Sequence, residues 1–158
     1  MIKIICIGKI KEDYLKDGIN EYLKRLSRYT KIEIIELKDI SLKDNMSLVE
    51  ENKVKEEESR LIESKIKDTD YIISLDRLGE ELSSIDLSKR LENTLSSVNK
   101  DIVFIIGGSL GLSNELIKKS NLVISFSKLT FPHQLFRLIL LEQIYRSFKI
   151  MKGEIYHK

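Results

Sequence analysis

Two short stretches of the sequence bring together residue types that chemistry requires. Gly107-Gly108-Ser109-Leu110-Gly111 holds three of the seven glycines. Glycines let a backbone approach a ligand closely, adopt positive φ and leave N–H groups free for an anion or for the hydroxyls of a nucleotide. The same residues would equally serve a tight strand-to-helix turn. A phosphate loop of the Walker type is excluded, because it needs Gly-Lys-Ser/Thr after four spacer residues and the chain has no such sequence. The dinucleotide pattern G-x-G-x-x-G aligns Gly108 and Gly111 but leaves Ile106 at the first glycine, and the loop follows the fourth apolar strand rather than the first. The second stretch, Ser125-Phe126-Ser127-Lys128-Leu129-Thr130-Phe131-Pro132-His133, sets hydroxyls, a lysine and aromatics between a strand end and a helix start. It reads as a ligand-contacting loop or as an ordinary polar connection. His133 is expected to be neutral there, since a helix N-terminus disfavours an imidazolium.

The C-terminal residues add a third group. Glu142 and Arg146 stand i, i+4 on the last helix, a spacing that on a helix surface makes an ion pair worth a few tenths of a kcal/mol. The tail Glu154-Ile155-Tyr156-His157-Lys158 offers an aromatic, an imidazole and a cation, which would stack on and hydrogen-bond an unstacked base or else fray as chain ends do. No His, Cys or carboxylate spacing suggests a metal site. Cys6, the single cysteine, excludes an intramolecular disulfide and fits a reducing compartment, the cytosol.

The elements that must hold these groups follow from periodicity. Ile2 to Ile7 reads as a buried strand ending at Gly8, and Leu15, Ile19, Tyr22, Leu23 and Leu26 form a helical stripe. Lys31 to Leu37 alternates as a second strand. Ser47 with Glu50 is a capping box that opens a charged, mostly solvated helix to about Ile66, with Val54, Leu61, Ile62 and Ile66 inward. Tyr71 to Leu75 is a third strand, with Gly79 marking a turn across Asp76 to Glu81. Ser83 or Ser84 caps a helix with Leu87, Leu91, Leu95 and Val98 inward. Ile102 to Ile106, apolar throughout, reads as a central parallel strand. A short helix over Asn114 to Lys119, a fifth strand over Leu122 to Phe126 and a last helix from Pro132 to about Lys152 complete the series. The pattern predicts one α/β domain over residues 1–158, with a mostly parallel sheet and helices on both faces. Ligands in such sheets sit at the carboxyl ends of the strands, here after Leu75, Ile106 and Phe126. The last helix is apolar around most of its circumference, which implies burial either in the core or in a subunit contact; a domain of this size has little depth to enclose it entirely, so dimerisation through it is expected.

The chain is 158 residues long, 42% hydrophobic and 33% charged, with a net charge of only +2, which excludes a histone-like partner for nucleic acid. That figure is unevenly spread. Lys128 to Lys158 carries six basic residues and two acids, a balance of +4, whereas the first 127 residues balance at −2. Neither a signal peptide nor an apolar run long enough for a transmembrane helix is present.

Ile106-Gly107-Gly108-Ser109 with Gly111, Ser125 to Gln134, Glu142-Gln143-Ile144-Tyr145-Arg146, the terminal Tyr156-His157-Lys158 and Gly8-Lys9 after the first strand together resemble the RlmH family of SPOUT-class methyltransferases. The resemblance spans the whole chain, least distinctively from about Asp39 to Arg60. It implies a single α/β-knot domain, its C-terminal segment threaded through a loop, binding S-adenosylmethionine. By that resemblance Leu75, Gly107, Phe126, Ser127, Lys128, Leu129, Thr130 and Phe131 contact the methyl donor, and the protein is a homodimer in the cytoplasm. Its product would be N3-methylpseudouridine in the intersubunit hairpin of 23S rRNA, made on assembled ribosomes without a metal. His157 is then the first candidate for assisting removal of the N3 proton or orienting the base, with Tyr156 as partner and His133 second. Arg137, Arg146, Lys149 and Lys158 would hold phosphate, with Glu142 orienting Arg146. A non-enzymatic RNA-binding module of the ribosome is the alternative, and a dinucleotide-dependent oxidoreductase a weaker third.

Overall fold

The computed structural model describes residues 1–97 and 100–157, so Val98 and Lys158 lie outside the described residues. Ten elements alternate along the chain: β1 (Ile2–Ile7), α1 (Asp13–Leu26), β2 (Ile32–Leu37), α2 (Leu48–Glu63), β3 (Tyr71–Glu81), α3 (Ser84–Ser96), β4 (Ile102–Ile106), α4 (Asn114–Lys119), β5 (Leu122–Ser125) and α5 (His133–Met151). The five strands form one parallel sheet in the order β2-β1-β4-β3-β5. The strands β1 and β4 are adjacent, and every residue of both is buried, as a parallel sheet covered on both faces demands; the one charged residue in them, Lys3, is paired with Asp70 and Asp101. Ile2, Ile4 and Phe104 point to the layer of α1, α3 and α5, while Ile5, Ile7, Val103 and Ile105 point to the layer of α2 and α4.

Local chemistry starts the helices where the sequence places them. The Ser47 side chain accepts from Glu50 N–H while the Glu50 carboxylate accepts from Ser47 N–H, the reciprocal capping box. Ser83 and Ser113 cap α3 and α4 with the serine side chain alone, accepting from Asp86 N–H and Leu116 N–H. Gly153, at φ +61°, ends the run of α5.

Three features differ from the sequence-based expectation. First, α2 is mostly solvated as expected, but its inner face is partly polar: Glu58 and Ser59 are buried beside Val54 and Ile62, whereas Leu61 is exposed and the helix stops at Glu63, short of Ile66. Second, β3 does not end at Leu75. Ile124 of β5 pairs with Leu75 and again with Glu80, so residues 76–79 bulge out of the sheet and the strand resumes to Glu81. The Asp76 carboxylate accepts from Leu78 N–H to shape the excursion, and the chain returns so close to β5 that a Cβ on Gly79 would lie 2.7 Å from the Ile124 carbonyl carbon. Third, α5 is partly covered within the chain itself, with Leu135, Phe136, Leu138 and Ile139 left half-buried. It lies between α1 and α3, and none of its residues is fully exposed.

Since backbone rather than a movable side chain faces Gly79, Gly79→Ala is expected to destabilise the protein by roughly 1–3 kcal/mol. Urea unfolding measures this, and a loss below about 0.5 kcal/mol would show that the bulge relaxes freely.

Candidate active site

The excursion in β3, the glycine loop after β4 and the loop from β5 to α5 surround one cleft of about 870 Å³ at the carboxyl ends of the strands. Seven of the residues singled out from sequence line it: Leu75, Gly107, Phe126, Ser127, Leu129, Thr130 and Phe131. Lys128, an exposed residue, does not. The glycine loop is folded against itself. Gly111 N–H donates to the Gly108 carbonyl at 3.0 Å, Gly111 has φ +81°, and a Cβ on Gly107 would meet Gly111 and Leu112 at 2.9 Å. Apolar walls from Leu75, Leu112, Phe131 and Phe136, with hydroxyls from Ser109, Ser127 and Thr130, suit a ligand of nucleoside size that is part apolar and part polar. Opposite Phe126, Asp76, Arg77 and Leu78 form the rim, and Leu78 is 89% exposed. Sequence reading missed these three, because only the second pairing of Ile124 turns a loop after β3 into a wall of the cleft.

His133 also lines the cleft. It sits beside Gly8, whose positive φ of 85° lets the chain turn at the end of β1, and a Cβ there would come within 3.4 Å of His133 Nε2. Arg137, one helical turn further, is wholly enclosed. Its Nη2 donates to the carbonyls of Ile7 and Gly8 at 2.9 and 2.6 Å, and its Nη1 to Glu36 at 2.7 Å. Arg137 is therefore not available to phosphate as expected. It ties α5 to the carboxyl ends of β1 and β2, a role hidden from sequence because β2 and α5 are a hundred residues apart. Burial, then the Arg137 charge, lowers the His133 pKa, so the imidazole is neutral at pH 7.

The remaining candidates gather at the far end of α5. Glu142 Oε1 accepts from Arg146 Nε and Nη2 at 3.1 and 2.6 Å and from the Tyr156 hydroxyl at 3.2 Å. Arg146 lies 4.7 Å above the Tyr156 ring, and its Nη1 is 3.3 Å from His157 Nδ1. Because a guanidinium only donates, Nδ1 must accept, which leaves the proton of the neutral ring on Nε2. Burial raises the Tyr156 pKa, with Tyr22 and Glu142 adding to it, so the phenol is a donor and not a base. Lys149 is held by Glu154, which also accepts from the Tyr29 hydroxyl. Tyr22 and Arg25 of α1 and Tyr29 of the turn after it join this cluster, with Tyr22 packed edge-on to Tyr145 and Tyr29 stacked on Phe148. Nothing in the sequence marks them, since their relevance depends on α1 lying beside α5.

The family model described as "Predicted SPOUT methyltransferase" matches residues 1–157. Ribosomal RNA large subunit methyltransferase H 1 of Clostridium perfringens (strain SM101) is 56% identical over 157 residues, covering 99% of each chain. The methyltransferase H of Clostridium botulinum (strain Kyoto) is 53% identical and the putative methyltransferase H of Methanococcus vannielii 54% identical, with the same coverage. Among solved structures, a probable methylase family protein from Haemophilus influenzae superposes with a TM-score of 0.54 at 10% identity, over 99% of this chain and 70% of the other, a likeness of fold alone.

The lowered pKa of His133 has a consequence for stability. Between its folded value and the ordinary 6.5 the unfolded chain binds a proton that the folded chain does not. The contribution is therefore complete above 6.5 and is lost as pH falls through that interval. Thermal melts from about pH 7.5 down to about pH 5 are expected to show a smaller loss of stability for His133→Gln than for the wild type. Equal losses would show that the imidazole is not held neutral.

Proposed function

Since the chain belongs to the SPOUT methyltransferase family, among the ribosomal RNA large subunit methyltransferase H proteins, we propose that it methylates N3 of a pseudouridine in the intersubunit hairpin of 23S rRNA, using S-adenosylmethionine. It acts as a homodimer on assembled ribosomes in the cytoplasm. The observation that carries this reading is the cleft built by three strand-end loops, whose glycine backbone and mixed apolar and hydroxyl lining suit an adenosine and an amino-acid chain. Among the described residues no group of three or more His, Cys, Asp or Glu side chains is placed to hold a metal ion.

Bound S-adenosylmethionine supplies a methyl group already activated on a sulfonium. The protein's task is to hold the N3 edge of the base in line with that methyl and to help remove the N3 proton. Leu75, Phe126 and Phe131 provide apolar surface for the donor, Gly107 lets it approach the backbone, and Ser127, Leu129 and Thr130 close over it, with Lys128 contributing only main chain. His157, with Nε2–H exposed, orients the base by donating to a ring carbonyl, and it can take the N3 proton through Nδ1 once Arg146 turns to phosphate. Tyr156 and Glu142 hold Arg146 until then. Lys149 and Lys158 complete the phosphate contacts, while His133, neutral and lodged against Gly8, shapes the wall of the cleft.

One chain does not bring these parts together. Phe136 lines the cleft, and Arg146 with His157 lies ten residues further along α5, about 15 Å at the rise of an α-helix. α5 starts beside Gly8 at the carboxyl end of β1 and runs away from it, so the tail is directed to the opposite end of the molecule. A second copy delivering its own tail would complete the site, and the C-terminal excess of positive charge would then face the RNA from both subunits.

Calorimetry is expected to give one S-adenosylmethionine per chain and no binding of NAD. Absence of the former would leave the RNA-binding module as the surviving reading. His157→Ala is expected to keep the donor affinity and lose methyl transfer. Mixing it with Thr130→Trp, which blocks the cleft from an exposed position, should restore about a quarter of wild-type activity through heterodimers with one intact composite site. No recovery would contradict a site shared between copies.

A further inference from the structure

The inner face of α2 carries two adjacent buried polar residues, Glu58 and Ser59, that the reading above leaves unused. Their contacts bracket the glycine loop. Ser59 Oγ donates to Ser113 Oγ at 2.7 Å, and Ser113 in turn caps α4 through Leu116 N–H. At the other end of the loop, a Cβ on Gly108 would lie 2.9 Å from Glu58 Oε2 and 3.2 Å from Oε1, so the carboxyl rests directly against the Gly108 backbone. Such a spacing permits weak Cα–H···O contacts. From the opposite side Ile40 N–H donates to Glu58 Oε1 at 3.4 Å, which joins the segment after β2 to the same carboxyl. Burial pushes the Glu58 pKa up against the lowering effect of that N–H, and Asp39 adds to the rise. A carboxyl kept in so unfavourable a place needs a reason that an apolar residue of similar volume would not satisfy.

We propose that Glu58, with Ser59 beside it, is a positioning residue for the methyl-donor site: the two side chains pin the glycine loop at Gly108 and at Ser113, and so set the height at which its backbone meets the donor. The inference rests on the cofactor reading above and extends it to two side chains that do not line the cleft. Glutamine preserves the volume and an acceptor for Ile40 N–H. Alanine removes both and leaves the loop unsupported at Gly108. An extra methyl on Gly108 would push against the carboxyl, but would partly fill the space once that carboxyl is gone.

The test combines calorimetric affinity for S-adenosylmethionine, KM and kcat in methyl transfer, and amide hydrogen exchange of residues 107–112 without donor. Glu58→Ala is expected to weaken donor binding and raise its KM about tenfold, with kcat within about twofold and faster exchange in the loop. Glu58→Gln should return to within about threefold of wild type. Ser59→Ala, a smaller change that keeps the packing, should raise KM about threefold. Gly108→Ala should bind worse than wild type yet be partly rescued in the Glu58→Ala background, a non-additivity that residues in contact produce. A merely structural loss would lower the active fraction, and with it kcat, while leaving KM where it was. Unchanged KM and loop exchange in Glu58→Ala and Ser59→Ala, or strictly additive losses with Gly108→Ala, would overturn the inference while leaving the cofactor reading standing. No donor binding by the wild type would remove both.

Discussion

A guanidinium closed off from water holds the two halves of the molecule in register. Arg137 reaches from α5 to the carbonyls of Ile7 and Gly8 and to Glu36, so one side chain ties the end of β1, the end of β2 and the helix that leaves the cleft. The carbonyls it binds belong to residues at a tight turn, with Gly8 in the left-handed region. Bidentate and charge-assisted contacts of this kind fix orientation more than a point charge would. Since α5 begins immediately after the loop of Phe126 to Pro132, the tie also determines where that loop closes over the cleft.

Around that anchor the cleft is made of backbone brought unusually close together. Gly79 crosses β5, Gly107 folds against Gly111, and Gly108 rests on a buried carboxyl. Each contact leaves no room for a Cβ, and each lies in a loop that faces the cleft. The neighbouring strands supply rigidity, because β1 and β4 are buried on both faces and pair throughout their length. The polar cluster proposed to meet the base and RNA is kept apart from this cradle, at the other end of α5, where Glu142, Arg146, Tyr156 and His157 hold one another. Separation of the two parts is the physical argument behind the proposed dimer.

Much of this was legible in the sequence because it is local. The apolar runs of β1 and β4, the caps at Ser47 and Ser83 and the glycine-rich loop depend on neighbours within a few residues, and the comparisons agree with the family that the motifs suggested. What escaped depends on strand order. The pairing of Ile124 with both Leu75 and Glu80, the burial of Arg137 against Glu36 and the packing of Tyr22 and Tyr29 on α5 join residues far apart in the chain. Glu58 and Ser59 escaped for another reason: in a helix so rich in charge, nothing distinguishes a buried carboxylate from its solvated neighbours until the opposing loop is in view.

Transfer of a tritiated methyl group from S-adenosylmethionine to purified ribosomes, with and without pseudouridine in the intersubunit hairpin of 23S rRNA, tests the central claim most directly. Label in that hairpin only when pseudouridine is present is the result predicted here. Transfer to neither preparation, or equal transfer to uridine, would contradict it.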